Sequence, residues 1–195
     1  MELIVVFAIM ATVVSMGVLQ IASMRRLNSS AAIPVQLKLQ LRLARQQAMS
    51  QRRAVTLQYD DLAKQVTIIR QPAAGKAVFS LPNFPTPTGS VQVSSMTLTG
   101  NGVEPSELVY GRPGSISSSL SDGTSLTSLP INKKINITFQ PDGSVIDANG
   151  NPVNFAFFFY NSKAPNLTAS AVSVLGSAGR IKTWNYNASA NKYVE

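Results

Sequence analysis

The sequence predicts an α+β protein in which a long N-terminal α-helix, membrane-spanning in its first half and amphipathic in its second, packs on antiparallel β-sheet. Three observations carry this. Leu3 to Met24 is a run of 22 residues without a charge. Leu37 to Ala54 is built from strong helix formers and holds no β-branched residue. From Val55 onward, short runs rich in Val, Ile, Thr and Phe alternate with turn residues.

The first run spans ~33 Å as a helix at ~1.5 Å per residue, enough for a hydrocarbon core of ~30 Å. Its polar side chains, Thr12, Ser15, Gln20 and Ser23, can bond to helix backbone, and Arg25 and Arg26 close it. A secretory signal peptide fits poorly. No basic segment precedes the run, the run exceeds the usual ~7–15 apolar residues, and no small-x-small cleavage site follows. Arg25 and Arg26 alone would hold the downstream domain in the cytoplasm by the positive-inside rule.

Asn28-Ser29-Ser30 is a point where the helix could break or recap, and Pro34 would sit in the first turn of a new helix or kink a longer one. Between Val35 and Ala54 two periods compete. Val35, Leu37, Leu39, Leu41 and Leu43 alternate as a strand would, while Leu37, Leu41, Ala44 and Ala48 share one helical face. Residue content decides for helix, with Arg42, Arg45, Arg52 and Arg53 facing outward.

Downstream, Val55–Tyr59 and Gln65–Ile69 flank the turn Asp60-Asp61-Leu62-Ala63-Lys64 as a hairpin. Residues 72–130 shift to Gly, Ser, Thr and Pro, with strands expected only at Val91–Thr99 and around Leu108–Tyr110. Ser115–Ser128 is close to low complexity, a kind of stretch that rarely packs, and residues 72–130 read as a variable loop region with mobile portions. Ile135–Gln140, Val145-Ile146 and Val153–Tyr160, separated by turns at Pro141-Asp142-Gly143 and Asp147–Asn151, read as a meander. Ala171–Leu175 and Arg180–Tyr186 form a last hairpin across Gly176-Ser177-Ala178-Gly179.

Composition narrows the function classes. With neither Cys nor His, disulfides, thiolate and imidazole metal sites, and Ser-His or Cys-His nucleophile pairs are all excluded. No spacing singles out a Ser-Lys pair, so no enzyme and no cofactor are predicted. Asp147, Asn149 and Asn151 occupy the first three ligand positions of an EF-hand loop, but Pro152 replaces the required Gly and Phe158 stands where the bidentate Glu belongs, so a turn and no metal is expected. The net charge of +8 is uneven, with nine bases against three acids through Arg70 and eight against six beyond. A basic helix of this kind fits anionic lipid, an acidic partner or nucleic acid, or is a solvated face.

The stretch Met1-Glu2-Leu3-Ile4-Val5-Val6-Phe7-Ala8-Ile9-Met10-Ala11 resembles the N-terminal helix of type IV pilins and type II secretion pseudopilins. Leu43-Ala44-Arg45-Gln46-Gln47-Ala48 through Leu57 is similar to the helix-to-strand passage of pseudopilin H and FimT/FimU-type minor pilins. Phe139-Gln140-Pro141-Asp142-Gly143 and Gly179-Arg180-Ile181-Lys182 resemble the strand-turn and final Gly-Arg strand of the same minor pilins. The resemblance leaves Ala73–Pro130 uncovered. It implies a pilin-like fold with a membrane and filament-core helix over residues 1–26, an amphipathic continuation over 27–54 and a β-rich domain over 55–195. It also implies an inner-membrane protein with a periplasmic domain, whose partners are other pilin or pseudopilin subunits, a prepilin peptidase and an assembly platform. The family's basic leader, Gly and Phe are not in the sequence, whose start is expected to be an internal Met or a trimmed end. That leader would answer the positive-inside objection.

Glu2 falls on the family's glutamate. A carboxylate in hydrocarbon costs ~2.5–3.5 kcal/mol, although a helix N-terminus favours negative charge and an interfacial position lessens the cost. The resemblance implies that Glu2 pairs with the N-terminal amine of a neighbouring subunit in the filament core. Arg180 and Lys182 share strand parity with Trp184 and Tyr186, an arrangement that could contact phosphates and stack bases. FimT-type DNA-uptake pilins carry Gly-Arg-x-Arg here, and Lys182 departs from it by losing the bidentate fork. A structural pilin or pseudopilin subunit is therefore the expected function, a DNA-binding minor pilin the alternative, and a solvated edge strand the plain reading of Arg180–Tyr186.

Overall fold

The computed structural model describes residues 2–77, 88–99, 102–114, 116, 119–147 and 149–195; within residues 2–26, side chains are described only for Phe7, Met10 and Met24. A single helix, α1 (Glu2–Gln51), runs through Asn28-Ser29-Ser30 without a break and carries Pro34 inside it. Of the alternatives open at these residues, the single longer helix with Pro34 inside it is the one that forms. Leu37, Leu41, Ala44 and Ala48, spaced four, three and four apart, are completely buried, so the 3.6-residue period prevails over the alternation. The helix ends at Arg52 in the left-handed region (φ 51°). Arg53 N–H then donates to Ala48 C=O at 3.2 Å, the six-residue closure of a Schellman end.

Two antiparallel sheets follow. The first has the order β3-β2-β1-β5 and is formed by β1 (Val55–Asp60), β2 (Gln65–Arg70), β3 (Val91–Thr97) and β5 (Lys134–Phe139). The second has the order β4-β6-β7-β8-β9 and is formed by β4 (Leu108–Tyr110), β6 (Phe155–Asn161), β7 (Ser170–Leu175), β8 (Arg180–Asn187) and β9 (Lys192–Val194). A one-turn helix, α2 (Pro165–Thr168), joins β6 to β7. The expected strands lie within two residues of their observed bounds, except Val145-Ile146, which makes only isolated bridges to Phe139 and Pro152. α2 and β9 are additions, both too short to leave a periodic signal in sequence.

The α1 face touches strands of both sheets. Leu37 and Leu41 pack in one core with Leu57, Ile68, Ile137, Phe157, Val172 and Val174. Tyr59 is the aromatic centre of that core, its ring 5.4 Å from Phe159 edge-on and 5.6 Å from Tyr110 stacked. Its hydroxyl donates to Asp61 at 2.7 Å, and burial raises its pKa far above the usual phenol value.

Three expectations are corrected. The meander from Ile135 to Tyr160 does not form, because β5 and β6 lie in different sheets. Val145 N–H donates to Gly176 C=O at 2.8 Å and Val153 N–H to Val145 C=O at 3.0 Å, so the intervening chain crosses over against the β7–β8 turn. The described part of the Ser115–Ser128 loop packs. Ile116 and Leu120 are buried with Ala156, Phe158, Ala171, Trp184 and Tyr193 in a second cluster on the outer face of the second sheet. A few apolar residues among many Ser and Gly suffice, since the sheet offers its own aromatic surface. Finally, the edge strand expected over Arg180–Tyr186 is covered in part: β9 pairs with β8 from Asn185 to Asn187, while among the described residues Arg180–Trp184 pair with β7 alone.

Candidate functional site: an exposed helix stripe and a basic cleft

Opposite the buried stripe, α1 shows apolar side chains to solvent: Phe7 (67% exposed), Met10 (60%), Met24 (66%), Val35 (53%) and Leu39 (57%), with Leu43 also exposed. At 100° per residue, all six fall within about 80° of the Val35 direction. Val35, Leu39 and Leu43 thus form an apolar stripe opposite the buried face, and the three described side chains nearer the N-terminus fall in the same angular range. Among the described residues no helix is long and apolar enough to cross a membrane. Over the membrane span expected at Leu3–Met24 the backbone is helical, and the side chains, that of Glu2 included, lie outside the description except for Phe7, Met10 and Met24.

Beside the stripe lies a cleft of about 460 Å³ at the seam between α1 and β8. Lys38, Arg42 and Arg45 from the helix, Arg180 and Lys182 from the strand, and Glu195 line it. The three helix residues follow one another at spacings of four and three, which sets them on one side of α1. Arg45 does not face outward as expected. Its Nε donates to Gly143 C=O at 3.4 Å and its Nη2 to Ala178 C=O at 3.0 Å, tying the helix to two turns. Those turns can approach because Gly179 lacks a side chain: an added Cβ would sit 1.9 Å from Gly143 O, and its φ of +57° is left-handed. Arg53 is also engaged, donating to Pro72 C=O at 2.8 Å.

The turn at Gly143 is held by Asp142, whose carboxylate accepts the Ser144 N–H at 2.9 Å and the Ser144 hydroxyl. These hydrogen bonds, with Lys76 3.2 Å away, bring the Asp142 pKa down to about 2. In the Asp147 loop, Oδ1 of Asp147 accepts the backbone N–H of Asn149 at 2.9 Å and of Asn151 at 2.8 Å, so the acidic loop is an Asx turn.

Arg180 and Lys182 do share a face of β8 with Trp184 and Tyr186, but the face has other uses. Trp184 is only 3% exposed and donates its indole N–H to Ser173 Oγ at 2.9 Å. It is not open to a stacking base. Lys182 lies 5.1 Å from the Trp184 ring centroid and pairs with Glu195. Arg180 remains exposed. The participation of Lys38, Arg42 and Arg45 went unread in the sequence, although their helical spacing was visible there; what brings them to Arg180 is the docking of α1 on the second sheet.

No family model matches the chain and no curated protein matches it. Among solved structures, it is similar to the type IV minor pilin FimU of Pseudomonas aeruginosa in two crystal forms. One is 19% identical with a TM-score of 0.45 over 86% of this chain and 94% of that one, the other 18% identical with a TM-score of 0.43 over 84% and 96%.

Proposed function

We propose that this protein is a structural subunit of a helix-cored filament, a minor pilin or a type II secretion pseudopilin, held in the inner membrane by Leu3–Met24 before assembly. The observation that supports this most is the exposed apolar stripe of α1, Val35, Leu39 and Leu43, on the side of the helix opposite the face that the β domain buries. A helix that buries Leu37 and Leu41 while showing Val35 and Leu39 to water has two apolar faces and one occupant. Like helices in a bundle would cover the second. In that bundle Glu2 would neutralise the N-terminal amine of a neighbour, removing two charges from an apolar core. The DNA-binding alternative retains the exposed Arg180 but not the Trp184 platform.

The chain has no Cys, which gives a clean background for single-cysteine probes. Val35→Cys and Leu39→Cys should cross-link between neighbouring subunits in assembled material, and Leu167→Cys, exposed on α2, should not. Uncross-linked Val35→Cys and Leu39→Cys within intact filaments would refute the reading. Glu2→Ala should reduce incorporation while leaving the β domain folded.

A further inference from the structure

Of the five cations around the cleft, three are occupied. Lys38 donates to Thr183 Oγ1 at 3.3 Å, Arg45 to the Gly143 and Ala178 carbonyls, and Lys182 pairs with Glu195. Arg42 and Arg180 are exposed and make no ion pair among the described residues. A single acidic side chain, Glu195, stands among the lining residues. Like charges at this range repel through an environment less polar than bulk water, so an added anion is favoured there.

We propose that the cleft is a docking site for a carboxylate-bearing segment of an acidic protein partner, received by the guanidinium forks of Arg42 and Arg180. Charge complementarity selects the occupant. The cleft already holds one carboxylate, that of Glu195 on Lys182, which shows the chemistry it accepts. Arginine forks bind carboxylates in a bidentate way. A second copy of this chain is a poor occupant. It carries +8, so two copies repel one another on net charge. A nucleic-acid strand would meet the same cations but no open aromatic surface, since Trp184 is buried. The site does not depend on the assembly reading.

The test uses the full chain in zwitterionic detergent micelles at low ionic strength, titrated with a fluorescent hexaglutamate peptide and, separately, with a single-stranded and a duplex oligonucleotide of matched charge. Hexaglutamate should bind, and binding should weaken with added salt. R42A/R180A should lower its affinity about tenfold or more, E195Q should raise it, and the remote pair K133A/K163A should leave it within twofold or so, since screened distant charges contribute little. Unchanged Trp184 emission in each variant would establish that the fold is kept. The proposal is overturned by absence of hexaglutamate binding at low salt, by an equal loss in K133A/K163A, or by tighter binding of either oligonucleotide than of the peptide.

Discussion

Trp184 donates its indole N–H to Ser173 Oγ at 2.9 Å, and Ser173 in turn donates its hydroxyl to Asp122 Oδ2 at 2.6 Å. A carboxylate in the loop thus holds a tryptophan of the sheet through one serine. Asp122 Oδ1 also accepts the Thr124 N–H and hydroxyl at 3.0 and 2.6 Å. Burial alone would raise the Asp122 pKa, but the hydrogen bonds from Ser173 and Thr124 and the charge of Lys182 outweigh it and hold the carboxyl below its usual value. A carboxyl depressed by folding stabilises the fold above the ordinary Asp value of ~3.9 and loses that contribution as pH falls below it. Asp122→Ala should cost about 1–3 kcal/mol at pH 7, and the gap from wild type should shrink as the pH drops toward the depressed value. Urea melts followed by the emission of Trp184, the single tryptophan of the chain, read this directly; a gap that stays constant with pH would remove Asp122 as its source.

Tyr193 gives the opposite prediction. Its ring is buried 5.1 Å edge-on to Phe158, yet its hydroxyl is buried with no hydrogen-bond partner among the described residues. Burial pushes its pKa up to about 12. Tyr193→Phe keeps the ring contact and removes an unsatisfied polar group, so stability should stay level or rise by roughly 1 kcal/mol. A clear fall in the thermal midpoint would show that the hydroxyl is satisfied in solution.

Gly176 is required by space and not by its backbone angle. A Cβ there would lie 2.3 Å from Val153 O and 2.5 Å from Val153 N, where backbone meets backbone and cannot yield. Gly176→Ala should cost on the order of 3 kcal/mol. Gly150, with nothing within 4 Å of an added Cβ but a φ of +84°, should lose only the smaller cost of a left-handed residue, roughly 1–2 kcal/mol, on substitution by Ala. Chemical denaturation of the two variants side by side distinguishes crowding from conformational strain.

Leu37 and Leu39 are two residues apart, one fully buried and the other 57% exposed. Leu37→Ala should destabilise the β domain by about 2–5 kcal/mol through the cavity it leaves. Leu39→Asp should change stability by roughly 0.5 kcal/mol or less, and under the proposed assembly role it should lower incorporation. Comparable unfolding midpoints for the two variants would contradict the two-faced helix.

The elements of this fold were legible wherever a local pattern determined them. Leu37, Leu41, Ala44 and Ala48 announced the buried face through their spacing, and Asp60 announced the β1–β2 turn, where its Oδ1 accepts the N–H groups of Leu62 and Ala63 at 2.9 and 3.2 Å. The assignment of strands to two sheets was not legible. It depends on Val145 bonding to Gly176, 31 positions away, and no local signal encodes such a contact. The basic cleft lay between the two cases. Lys38, Arg42 and Arg45 were visible as a helical row and Arg180 as a strand residue, but only the packing of α1 on β8 makes them one site. The loop around Ile116 and Leu120 was misread because composition counts residues, whereas burial needs only two of them over Phe158 and Trp184.

With α1 beneath it and the loop above, the second sheet is covered on both sides, and Phe155–Phe159 is buried at every position regardless of parity. The first sheet has no such shelter at β3, where Val91, Gln92 and Val93 are all exposed. Amide protons therefore leave the molecule on two clocks. Those of β6 and β7 wait for global unfolding, while those of β3 escape through local openings that cost far less. The last memory of the native state to survive in deuterated water is the aromatic strand from Phe155 to Asn161, kept there by a loop whose composition promised nothing.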